Sequence, residues 1–258
     1  FPCAMACLFS GEYHDYVWGR PVTTTTELFA QLSLITQQCG VSWKIVWNKR
    51  HFYCEAFHKW DMYQVAAMGE HELDELCDRT GRWAGRLIQN RAKLHAIVHN
   101  AKQCVQIEET HPGGLRDFLW GFVRGHDETI NMHDCDSEQY RSLFGVSSKY
   151  SDAMALGMRR GKNSLYDFKF VGSTTLQAFL LQNGLLNGHS PTCHLNPRCK
   201  SKAASRHTDT MAEVGSSTVR LSRGNRRQRV AYVELDNASS ESHCTTRRRL
   251  SCLDHICL

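Results

Sequence analysis

The sequence predicts an all-α domain over residues 1–199, followed by a disordered basic tail over residues 200–258. Three observations lead there. Apolar residues recur three and four apart in most of the first two hundred positions, the period of a helix face. Alternating apolar and polar runs are scarce, so no sheet is expected. Beyond residue 200 the chain turns rich in Ser, Thr and Arg, with few large apolar residues in any pattern, a composition too poor to build a core.

The elements follow in order. Residues 1–22 read as irregular, with Gly11, Gly19 and Pro21. The Thr run at 23–26 supplies N-cap candidates for a helix carrying Leu28, Phe29, Leu32 and Ile35. Gly40 breaks it. Ser42 caps the next helix, with Trp43, Val46 and Trp47 and then Phe52 on its apolar side. Asp61 precedes the short helix MYQVAAM, and HELDELCDR continues in helical style. A Gly-punctuated loop then feeds a long amphipathic helix with Leu94, Ile97, Val98, Ala101 and Val105 on its apolar side. LRDFLWGFV follows Pro112, Gly113 and Gly114 as another helix. SDAMALGMRRGK is helical, and STTLQAFLLQNGLL is an apolar helix ending near Gly184.

Composition narrows the function. At 258 residues, 41% hydrophobic and 10% aromatic, the chain can bury a sizeable core. No apolar run reaches about 18 residues, so no membrane span is expected. Residues 200–258 hold 11 Lys/Arg and 6 Asp/Glu, which accounts for the whole net charge of +5. A neutral core can bind nucleic acid only through a local basic patch. The 12 cysteines are irregularly spaced. That fits buried thiols in a reducing compartment, and a metal site, better than a disulfide framework. The chain begins at Phe1 and is read as a fragment, so a targeting segment upstream stays open.

One stretch stands out. Thr36, Gln37, Gln38, Cys39 and Gly40 form a polar knuckle between apolar segments, with no carboxylate in it. On the residues alone, Gly40 ends a helix and Val41 belongs to the core; the alternative is a turn that meets a ligand. His189 and Cys193, in an H-x-x-x-C arrangement, have a spacing that suits a metal pair.

At YHDYVWGRP, QQCGVSW, NRAKLHAI, LRDFLWGF, KFVGSTTLQAF and the late H-x-x-x-C pair, the chain resembles the DNA-3-methyladenine glycosylase I family. The resemblance covers residues 3 to 193 and leaves out the tail. Extra residues relative to the family fall near Arg79–Ala84 and Lys162–Asp167. The resemblance implies a helix-hairpin-helix glycosylase that flips an alkylated adenine out of the duplex and cleaves its N-glycosidic bond. It implies that the turn fills the gap left by the flipped base, with Gly40 for close approach, Val41 as the apolar wedge and Gln38 as a polar contact. Tyr13, Trp18 and Trp43 become the pocket aromatics that stack on the cationic base. Members usually carry a base-recognising Glu where this chain has Ile35, and a further Tyr where it has Ser10. A carboxylate from another segment, such as Glu12, is one way to replace that Glu. The other reading is a DNA-binding homologue without catalysis, or with a changed base preference, and Ile35 is the residue that discriminates.

The resemblance also implies one structural zinc held by Cys3, His14, His189 and Cys193, with Cys7 a rival to Cys3. Arg91 and Lys93, with Arg86, lie in the hairpin region as candidates for phosphate contacts. Asp117 and Lys169 read as polar residues that stabilise the fold. The basic clusters at 223–229 and 245–250 suit nonspecific nucleic-acid binding or nuclear localisation. The expected protein is a monomer on double-stranded DNA carrying alkylated bases, away from membranes, inside the cell in the nucleus or another DNA-containing compartment.

Overall fold

Thr24 starts the central helix. Its hydroxyl oxygen accepts from the Glu27 N–H at 3.3 Å, and its hydroxyl donates to the Glu27 carboxylate at 2.8 Å. The first of these bonds satisfies one of the backbone donors that a helix start leaves over. The helix, α2 (Thr25–Gln37), is preceded by α1 (Gly11–Tyr16) and followed by α3 (Trp43–Asn48) and α4 (Arg50–Ala56). A short 3-10 turn, His58–Trp60, leads to α5 (Met62–Ala67), α6 (Glu70–Cys77), the long α7 (Arg91–Thr110) and α8 (Gly114–Gly121). Then come α9 (Lys149–Met158), α10 (Ser173–Gln182) and α11 (Cys252–Cys257). This is a computed structural model; it describes residues 11–123, 147–161, 165–189, 193–196 and 252–257. No β-strand occurs among the described residues.

Every residue of α2 from Glu27 to Gln37 is buried. A helix buried all round is a core element rather than a surface one. It packs against α3, α4, α7, α8, α10 and α11. Leu28, Phe29, Leu32, Leu34 and Ile35 contribute about 1.5–3 kcal/mol each by leaving water. α7 lies across α5, α6 and α8, and α9 pairs with α10. Its N-cap is Asn90, whose side chain accepts from the Lys93 N–H. The expected apolar face of α7 is present: Leu94, Ile97, Val98 and Ala101 are buried, and Val105 is half-buried.

Two stretches differ from the sequence expectation. Gly11–Tyr16 is helical, although Gly11 and a length of six residues give it little intrinsic preference. Burial of Tyr13, His14, Val17 and Trp18 holds it in place. The chain after it is fastened to the end of α10, with Gly19 N donating to Gln182 O at 2.8 Å and Val22 N to Asn183 O at 3.1 Å. Gly184, at φ +64°, is required there, since a Cβ would come within 2.6 Å of the Pro21 nitrogen.

The second difference is at the other end. Residues 252–257, expected within the tail, form α11 and pack on α4 and α2 with Ile256 fully buried. Cys257 is bonded to Cys54 across a sequence separation of 203. The expectation of thiols without a disulfide fails at this pair. The tail's average composition hid one short apolar segment, CLDHICL. Residues 200–251 lie outside the described residues. All described residues belong to one compact unit, Phe1–Cys199 with Leu250–Leu258.

Candidate functional site

α2 runs out of helical partners at Gln37, and three unrelated segments hold its end. The Gln37 side chain, fully buried, donates to Lys93 O at 3.1 Å and accepts from the Tyr53 hydroxyl at 3.4 Å. Lys93 Nζ donates to Gln37 O at 2.9 Å and to Cys39 O. Cys39 Sγ lies 3.5 Å from the Thr175 hydroxyl and 4.0 Å from Phe170 O. The motifs QQCGVSW, NRAKLHAI and KFVGSTTLQAF, far apart in the chain, therefore meet at this turn. Gly40 is at its tip, exposed, at φ +76°, where an added Cβ would meet nothing within 4 Å. Gln38 is half-exposed, and its carbonyl accepts from Val41 N at 2.9 Å. Val41 is half-buried against the core rim.

Behind the turn, α3 brings Trp43 and Trp47 to one face at i and i+4. Trp47 joins two of the three expected pocket aromatics, Tyr13 and Trp43. Its ring meets Tyr13 edge-on at 4.7 Å and Trp43 at 6.0 Å. Tyr13 is 5% exposed and Trp43 4%, so both rings are sheltered from water. The Trp43 indole N–H has no hydrogen-bond acceptor among the described residues. Arg50, whose charged form burial disfavours, lies over the Trp47 ring at 4.5 Å. The sequence reading placed Trp47 in the core only; its i+4 offset from Trp43 was the signal.

Ile35 is fully buried in the last turn of α2 and supplies no polar group. Glu12 is exposed on α1. Trp18, expected in the pocket, stacks on His14 at 6.2 Å and meets His189 edge-on at 5.0 Å. It thus backs a second cluster.

That cluster is His14, His189 and Cys193, whose ligand atoms lie within 4.8 Å of one another. Cys193 Sγ is 3.5 Å from His14 Nε2 and 3.6 Å from His189 Nδ1. A tetrahedral ion with Zn–S of about 2.3 Å and Zn–N of about 2.05 Å sets S···N edges of about 3.6 Å, so the donors fit zinc. The surroundings fit as well. His14 Nδ1 is 2.7 Å from the Asp15 carboxylate, which leaves Nε2 to face the cluster. Leu195 N–H donates to Cys193 Sγ at 3.5 Å. Asn196 Nδ2 and Asn187 Oδ1 tie down the His189 backbone. The sequence reading missed Asp15, Asn187 and Asn196. Cys3 and Cys7 lie outside the described residues.

Arg91 is exposed and paired with Asp74 at 2.7 Å and Glu70 at 3.8 Å. Arg86 lies over the Phe52 ring at 5.5 Å. Lys93 corrects the sequence reading. It is 5% exposed, and its ammonium, held below the ordinary lysine range by burial, is spent on the turn carbonyls and not offered to a phosphate. Its neighbours in sequence, exposed Ala92 and buried Leu94, gave no sign of this.

A helical scaffold that sets a sheltered aromatic cluster behind a projecting glycine turn has the architecture of a helix-hairpin-helix DNA glycosylase. The chain belongs to the methyladenine glycosylase family, which matches residues 8–196. It is 36% identical over 182 residues to the DNA-3-methyladenine glycosylase of Haemophilus influenzae, covering 70% of this chain and 89% of that one. To DNA-3-methyladenine glycosylase 1 of Escherichia coli it is 34% identical over 185 residues, covering 72% and 90%. Among solved structures, a crystal structure of 3-methyladenine DNA glycosylase I superposes with a TM-score of 0.61 at 33% identity, covering 73% and 94%. The Staphylococcus aureus enzyme, solved for the basis of its 3-methyladenine recognition, gives 0.60 at 29%, covering 73% and 92%.

Proposed function

We propose that this chain is a DNA-3-methyladenine glycosylase of base-excision repair. It flips the alkylated base out of double-stranded DNA and hydrolyses its N-glycosidic bond. The observation that carries the reading is the Tyr13–Trp47–Trp43 cluster beside the Gly40 turn, in a chain that spans 89% of a relative of that name. The 3-methyladenine base is cationic while attached to the sugar. Aromatic faces in a dry pocket favour that cation over neutral adenine by about 1–2 kcal/mol. The C1′–N9 bond breaks with its electrons passing to the base, which neutralises it. A water oxygen bonds to C1′ and loses a proton to solvent, leaving free base and an abasic site. The leaving group is already activated, so binding, flipping and drying are the main tasks of the protein. The hydrogen bond that Ile35 cannot make costs about 1–3 kcal/mol of discrimination, without removing the chemistry.

Zinc at His14, His189 and Cys193, with Cys3 as fourth ligand, is structural in this reading. Its donor set leaves no place for a reacting group. The enzyme works as a monomer in the nucleus or another DNA-containing compartment. The basic clusters at 223–229 and 245–250 support that placement.

The test is release of free 3-methyladenine from methylated duplex DNA by wild type, Trp43→Ala and Ile35→Glu. Release by wild type that falls at least about tenfold in Trp43→Ala is the expected result. No release by wild type, with release gained in Ile35→Glu, would show a fold that has left this chemistry.

A further inference from the structure

Phe170 has two properties that rarely coincide. It is 37% exposed, and its backbone is left-handed at φ +57°. Among the described residues it is the one large exposed apolar side chain in that region. A bulky residue there is strained, and persists only where its surroundings over-determine it.

The surroundings do so. Asn100, 1% exposed, brackets the residue before it, donating to Lys169 O at 3.1 Å and accepting from Lys169 N at 2.8 Å. Gln103 Oε1 accepts from Asp167 N at 2.9 Å, and a His99 ring nitrogen lies 2.7 Å from Asp167 O. Phe168 N donates to Met158 O at 3.0 Å. Three side chains of α7 thus clamp the loop, whose Phe168 and Val171 are buried in the core while Phe170 between them is not. The product is an aromatic ring held half out in water. The Phe170 carbonyl is 4.0 Å from Cys39 Sγ, which sets the residue beside the Gln38–Val41 turn.

We infer that Phe170 is a second apolar insertion point on duplex DNA, working alongside Val41. The inference rests on the glycosylase reading above. Val41 is short and half-buried, and covers little of an opened base step. Every base has a flat apolar face, so an aromatic ring at the rim stacks on a neighbouring base whatever its sequence. The occupant is a base of the duplex flanking the lesion, not the flipped base. Phe170 is therefore a positioning residue: it holds the duplex open while the aromatic cluster holds the damaged base.

The experiment uses the full chain and a duplex with an abasic-site analogue flanked by 2-aminopurine, which brightens when unstacked. Phe170→Asn keeps a residue that tolerates the left-handed backbone and removes the ring. Phe170→Tyr keeps the ring. Wild type and Phe170→Tyr are expected to brighten the probe. Phe170→Asn is expected to lose the brightening and at least about tenfold in kcat/KM on methylated duplex. Its binding of free 3-methyladenine and its thermal midpoint stay close to wild type. Brightening and kcat/KM within twofold of wild type in Phe170→Asn would overturn the inference alone. Absence of brightening by wild type that still releases base would overturn it too. Wild type that neither releases base nor binds the duplex would overturn the glycosylase reading, and this inference with it.

Discussion

The Lys93 ammonium donates to Gln37 O and Cys39 O where α2 has no further N–H groups for its last carbonyls. A buried cation there takes the place of water at two carbonyls and fixes the turn that carries Gly40. Lys93→Met keeps the stem and removes the donor, leaving two carbonyls without a charged partner. The expected loss is about 1.5–3 kcal/mol of stability, measured by denaturant unfolding, with base release falling as the turn loosens. The salt slope of duplex binding should stay as in wild type. A phosphate contact would instead lower that slope by about one. Surface and buried roles of Lys93 are thus separated by one titration. Its sequence neighbours gave no help, because burial at residue 93 depends on Gln37, more than fifty residues earlier, lying under it. Trp43, Gly40 and His14, by contrast, were singled out by motifs that carry the family resemblance, whereas their own chemistry allows core packing or a helix end equally.

The helices were legible where their signals are local, and α5 is the clearest case. Asp61 precedes MYQVAA, and its carboxylate accepts from Tyr63 N at 3.0 Å and Gln64 N at 3.1 Å. Both amides are donors that α5 leaves over at its start. The same bonds, with that from the Gln64 side chain, hold the Asp61 carboxyl below its ordinary value of 3.8. The folded state then binds fewer protons than the unfolded state in acid. The stabilisation is complete above the ordinary carboxylate pKa and is lost as pH falls through the depressed folded value. Asp61→Ala is expected to cost about 1 kcal/mol at neutral pH. The gap to wild type should narrow in urea melts run below pH 4, and a gap constant from neutral pH to pH 2 would refute the cap. α1 and α11 were not legible. Each is six residues long, below the length at which a helix stands in water, and each exists through what it packs on. Tyr13 and Ile256 do that packing, and nothing beside them in sequence announces it.

Two long-range fastenings close the molecule. Cys54–Cys257 joins α4 to α11, and the His14–His189–Cys193 cluster joins α1 to the chain beyond α10. Loop-closure entropy grows slowly with length, so a contact spanning 179 residues costs little more than one spanning half as many. The cluster also adjoins the aromatic group: His14 is next to Tyr13 in α1, and Trp18 packs on both histidines. Zinc bound there would stabilise the folded chain, since the donors come together only on folding. Removal should therefore act on fold and pocket together. The purified chain is expected to hold about one zinc, released by a strong chelator with a fall of several degrees in thermal midpoint and weaker binding of free 3-methyladenine. His14→Ala and Cys193→Ser should each start near that lower midpoint, contain little zinc and be indifferent to chelator. The disulfide offers a control, because reducing agent should free α11 without releasing metal. A chain that melts at one temperature with and without chelator, and carries no zinc, would leave His14, His189 and Cys193 as a hydrogen-bonded cluster only.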